Sequence, residues 1–140
     1  MSMELYPAFR SPVPGGRFEA EGRCLARDIR RLDELAVSLG VQPLSAFADS
    51  REPDEDFEPP DDFDGDPETY VELACGPWND WFASSDGLRT AEALLAAIEA
   101  DPKQLGSNAR AEGAVADLEG PVRCMPLAVA RDVEFRLQVR

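Results

Sequence analysis

The sequence predicts an α+β domain: a small antiparallel sheet that includes the N- and C-terminal strands, covered by about three helices. Three observations carry this. The segment Val133-Glu134-Phe135-Arg136-Leu137-Gln138-Val139 alternates strictly, the period of a strand with one buried and one wet face. Residues 26–39 and 86–100 instead repeat apolar side chains at three and four, the period of a helix packed along one stripe. At the other end of the chain, Met3 to Phe9 supplies the natural partner for the last strand.

Taken in order, Met3 to Phe9 turns Leu5 inward, with Phe9 as a second inward candidate. Pro7 has no N–H to give a ladder and marks an edge. Ser11-Pro12-Val13-Pro14-Gly15-Gly16 reads as a turn or exposed loop. Arg17 to Leu25 has no clear period, with a short strand around Phe18 as its one candidate element. Ala26 to Leu39 is the clearest helix: Ile29, Leu32, Leu35, Ala36 and Leu39 form the stripe, and Gly40 is placed to end it in the left-handed conformation. Val41 to Phe47 returns apolar groups to the core as a short turn or helix.

The character changes at Asp49. From there to Glu68 the chain holds eleven acids against one base, Arg51, so that 10 of the 14 net negative charges fall in 20 residues. Pro53, Pro59, Pro60 and Pro67 oppose regular structure. The expectation is one domain, 1–140, carrying an acidic Pro-rich loop at 49–68 that moves unless something binds it. Phe57 and Phe63 interrupt the acids. Acidic-aromatic alternation suits a segment that steers a partner by charge and then docks a ring. The simpler alternative is that both rings pin the loop to the domain.

Beyond the loop, Tyr70-Val71-Glu72-Leu73 fits one helical turn, broken by Gly76-Pro77. Trp78, Trp81 and Phe82 follow at i, i+3 and i+4, a spacing that sets three aromatics on one helical side. Such a cluster is more often core than ligand cage. Ser84 or Ser85 is the expected cap of a helix over Asp86 to Ala100, with Leu88, Ala91, Leu94, Leu95 and Ile98 as its stripe. Ala111, Val115, Leu118 and Val122 predict a third helix, which Pro121 and Pro126 should kink or divide.

Composition limits the chemistry. The chain has no histidine, which excludes Ser-His-Asp and Cys-His nucleophile systems and the usual histidine-bearing zinc sites. Carboxylates, Tyr6, Tyr70 or the single lysine, Lys103, remain as acid or base. Cys24, Cys75 and Cys124 are widely spaced and form no CxxC pair, as expected of small buried hydrophobes in a reducing compartment. A net charge of −14 repels nucleic-acid phosphates and anionic membranes and attracts basic proteins. It also serves solubility alone. The N-terminal residues have neither the basic nor the apolar stretch of a secretory signal, so the expected compartment is the cytoplasm. Scarce lysine beside abundant arginine, alanine and proline suggests a GC-rich bacterial genome.

No cofactor motif is present. Setting Gly65 of Asp61-Asp62-Phe63-Asp64-Gly65-Asp66 at position 6 of a calcium loop puts Pro60 at position 1 and Val71 at position 12, and both ends fail. No GxGxxG, GxxxxGK[ST] or GxSxG spacing occurs. Leu32-Asp33-Glu34-Leu35-Ala36, Leu39-Gly40-Val41-Gln42-Pro43-Leu44, Trp78, Trp81 and Gly87-Leu88-Arg89-Thr90 together resemble a group of small uncharacterised bacterial proteins. In acidity and size the chain is also similar to immunity proteins that neutralise interbacterial toxins.

These readings converge on a non-catalytic cytoplasmic binding protein, of immunity-protein type, that meets a basic protein partner. The candidate contact residues are Asp54, Glu55, Asp56, Phe57, Asp61, Asp62, Phe63, Asp64, Trp78 and Trp81. The alternatives are a regulatory or metabolic domain holding a small molecule near the two tryptophans, and a carboxylate or metal-dependent enzyme.

Overall fold

The computed structural model describes residues 4–16, 22–49, 51–65 and 67–139. Met3, the candidate strand around Phe18 and Asp66 lie outside the described residues. Two strands, β1 (Leu5–Phe9) and β2 (Phe135–Val139), pair antiparallel, with Leu5 opposite Val139 and Phe9 opposite Phe135. The alternation of the last segment sorts as its period requires: Phe135 and Leu137 are buried, Arg136 and Gln138 half-buried.

Among the described residues, five helices accompany this sheet: α1 (Arg23–Arg27), α2 (Ile29–Ser38), α3 (Pro67–Cys75), α4 (Ser84–Ala100) and α5 (Asn108–Ala130). Short 3-10 turns occupy Leu44–Phe47 and Pro102–Leu105. The core lies between the inward side of the sheet and the apolar stripes of α2, α4 and α5. Phe47, Leu32, Leu94, Ile98, Leu118 and Phe135 are its largest nearly inaccessible side chains. Gly87 on α4 has to be glycine, since a Cβ there would come within 2.2 Å of the Phe135 ring.

Several expectations need correction. The helix read from Ala26 to Leu39 is split at Asp28, and Arg23 to Leu25, for which the sequence shows no clear period, are helical. Asp28 is only 3% exposed, and its carboxylate takes hydrogen bonds from Arg27 (3.0 Å) and Arg110 (2.9 Å). Two arginines from different helices satisfy a buried charge at the bend. Leu39 is exposed rather than on the buried stripe. Gly40 (φ 75°) does end α2. Its N–H donates to Val37 and that of Val41 to Ala36, both at 3.1 Å, closing a Schellman turn.

Ser84 is not a cap. Its hydroxyl donates to the Val133 carbonyl at 2.5 Å, tying the start of α4 to the entry of β2. Pro121 and Pro126 do not divide α5, which runs unbroken through both. An internal proline costs about 3 kcal/mol. Leu118, Cys124, Met125 and Ala128 are all buried around the two prolines, so the same apolar face continues past them and offsets that cost.

Residues 49–81 form an excursion from this core. The chain leaves β2 at Ala48, which bridges Leu137, and returns at Phe82, which bridges Phe135. Both ends thus seat on the same strand.

Candidate partner-binding surface

Within the excursion, two tight turns follow one another. The Phe57 N–H donates to the Asp54 carbonyl and the Phe63 N–H to the Pro60 carbonyl, each at 3.0 Å. Both are four-residue turns with acids at their tips, Glu55 and Asp56 in one, Asp61 and Asp62 in the other. Each ends in a phenylalanine. Both rings settle on Tyr70 of α3, Phe57 edge-on at 5.3 Å between centroids and Phe63 tilted at 5.7 Å. The turns are therefore fastened to a common ring, while Asp54, Glu55, Asp56, Asp61, Asp62 and Asp64 are all exposed. The rings pin the segment to α3 and not to the main core, for no described α3 side chain is buried.

Helix α3 begins at Pro67, inside the segment expected to be loop, and extends to Cys75, well beyond a single turn. Arg51 ties its far end back to the start of the excursion. The guanidinium grips both carboxylate oxygens of Asp49 (3.0 and 2.9 Å) and donates to the carbonyls of Cys75 and Pro77 (both 3.2 Å). A cation among carbonyls at a helix C-terminus is also favoured by the helix dipole. Arg51 hydrogen bonds hold Asp49 below the usual carboxylate range, while partial burial opposes them.

Trp78, Trp81 and Phe82 do not share a helical side, because residues 76–82 are not helical. The antiparallel Phe82–Phe135 bridge instead sets the end of this segment alongside β2. The Arg136 guanidinium sits between the two indoles, 4.6 Å from the Trp78 ring and 4.3 Å from the Trp81 ring, and donates to the Trp78 carbonyl at 2.6 Å. Arg10 lies 6.0 Å from the centroid of the Trp81 ring as well and pairs with Glu134 at 2.7 Å. The order Trp78, Arg136, Trp81, Arg10 is an alternating cation–π ladder. Arg136 Nε is buried and has no hydrogen-bond partner among the described residues. Both tryptophans remain half-buried, and the gap between them is filled by arginine, so they form no open cage.

Three residues of this surface had not been singled out from the sequence: Tyr70 as the common ring, Arg51 as the staple and Arg136 as the cation of the ladder. Arg51 carried a signal, being the one base among eleven acids. Among the described residues, no three Asp, Glu, Cys or His side chains gather where they could hold a metal ion. No helix among them is long and apolar enough to cross a membrane. No protein-family model matches the chain, no curated protein matches its sequence and no solved structure matches its fold.

Proposed function

We propose that this chain is a non-catalytic binding protein that meets a basic protein partner through its two acid-tipped turns, in the manner of an immunity protein. The observation that supports this reading is the attachment of both turns to Tyr70. A solubilising loop has no need of fixed carboxylates. Here the acids are held at the tips of defined turns, so less ordering is left for the moment of binding. The electrostatic field of the segment raises the encounter rate with a cationic surface. Trp78 and Trp81, half-buried in the same excursion, are the candidate anchors, of the kind that slow dissociation.

The experiment is binding kinetics at two salt concentrations, against the partner recovered by pull-down from the native host. Changing Asp54, Glu55, Asp56, Asp61, Asp62 and Asp64 to Asn or Gln should mainly slow association. Raising salt should reproduce that slowing in the parent protein and have little further effect on the neutralised one. Unchanged, still salt-sensitive association in the neutralised protein would sink the reading and leave the −14 charge as a solubility device.

A further inference from the structure

Away from the excursion, a cleft of about 440 Å³ opens between the C-terminal half of α4 and the N-terminal half of α5. Its floor is apolar, made by buried Ile98 and Ala111 and half-buried Val115. Its rim is acidic, with Glu99 from α4 and Glu112 and Glu119 from α5, all exposed. Among the described residues, no lysine or arginine lines it. Glu112 and Glu119 are seven residues apart on one helix, which places them two turns, or about 10.5 Å, apart along one side of the cleft.

We infer that this cleft is a docking groove for a basic amphipathic helix. Packing one more helix into the furrow between two is a recurrent mode of recognition, in which an apolar side chain enters and its polar flanks set specificity. An aliphatic residue on the floor with Lys or Arg on either side, two turns apart, meets both the apolar lining and the acids of the rim. Charge complementarity thus selects a cationic helix over a neutral or acidic one. The inference takes from the proposed function only that the partner is basic, and it adds the partner's shape and a second place of contact.

The probe is a synthetic lysine-leucine helical peptide with its leucines on one face, and an isomer of the same composition with the leucines spread around the helix. Each is titrated into the full chain while backbone amide shifts are followed. The amphipathic peptide should shift amides of residues 98–119 and bind at least about fivefold tighter than its isomer. Ala116→Arg, at an exposed position on the cleft wall, should weaken it about tenfold with no change in melting temperature. The pair Glu112→Gln and Glu119→Gln should weaken it several-fold and flatten its salt dependence. The six-residue neutralisation of the acidic turns should leave the location of these shifts unchanged. Equal binding of the two peptides, shifts confined to residues 52–64, or indifference to both groove variants would overturn the groove. Those results leave the acidic-turn reading standing, because that reading fails only through the association kinetics of the neutralised protein.

Discussion

Asp117, in the middle of α5, caps a helix that starts far earlier in the chain: its Oδ2 accepts the N–H of Cys24 at 2.9 Å and that of Leu25 at 3.3 Å. Gly22, the residue before α1, has no side chain to do this. A carboxylate from another helix satisfies the free donors instead, and its charge suits the positive end of α1. Asp117→Ala should therefore destabilise the domain by about 1–2 kcal/mol in urea unfolding. Asp117→Asn, which keeps an acceptor, should cost less. A loss below about 0.5 kcal/mol for the alanine variant would mean that water replaces the carboxylate freely.

Arg136 joins the excursion to β2 through its stack between Trp78 and Trp81. Arg136→Ala removes both ring contacts and the bond to the Trp78 carbonyl, and should cost about 1–3 kcal/mol. Tryptophan emission should shift to the red as both indoles gain water. Arg136→Lys should recover only part of the loss, since an ammonium cannot stack as a plane. Full recovery by lysine would show that charge alone matters there.

Phe57 and Phe63 rest on Tyr70 rather than in the core. Phe57→Ala and Phe63→Ala should each change global stability by less than about 1 kcal/mol, because the excursion can loosen while the core stays folded. Proteolysis within residues 51–65 should accelerate in both. A loss above about 2 kcal/mol would place the rings in the cooperative core.

The Asp49–Arg51 staple has a definite pH response. A carboxyl whose folded pKa lies below its unfolded value stabilises the fold above that unfolded value, and this is lost as pH falls through the folded pKa. The staple should thus persist at about pH 4, where an ordinary carboxylate is half protonated, and release only below that. Amide exchange of residues 72–77 reads this directly. Asp49→Asn should loosen the same amides at neutral pH and remove the acid step. An acid step at the same pH in both proteins would assign it to other carboxylates.

The strands and main helices were legible because their side chains obey the period of burial, and the α2 stop because Gly40 is the residue that a left-handed turn favours. The continuity of α5 was not legible. The cost of Pro121 is local and visible in sequence, whereas the burial that offsets it depends on β1, β2 and α4 packing around the same face. The tryptophan spacing misled for a similar reason. Three and four residues apart fits a helix, but Gly76-Pro77 and the Phe82–Phe135 bridge place these rings on a non-helical segment that ends alongside a strand. The exposed acids of the turns were plain from composition. Their fastening was hidden, since Arg51 finds its carbonyl partners 24 and 26 residues away.

Ala48 and Phe82 meet β2 at Leu137 and Phe135, two residues apart, a separation of about 6.6 Å along a strand. Apart from the arginine contacts of Trp78 and Trp81, everything between them is carried on a narrow backbone neck, and none of its described side chains is buried in the core. Such a segment behaves as an exchangeable cassette on a fixed chassis. Its length, charge and ring positions can diverge from copy to copy while β1, α2, α4, α5 and β2 keep folding as before. In the binding role proposed above, such a mounting lets recognition change without the fold being solved again.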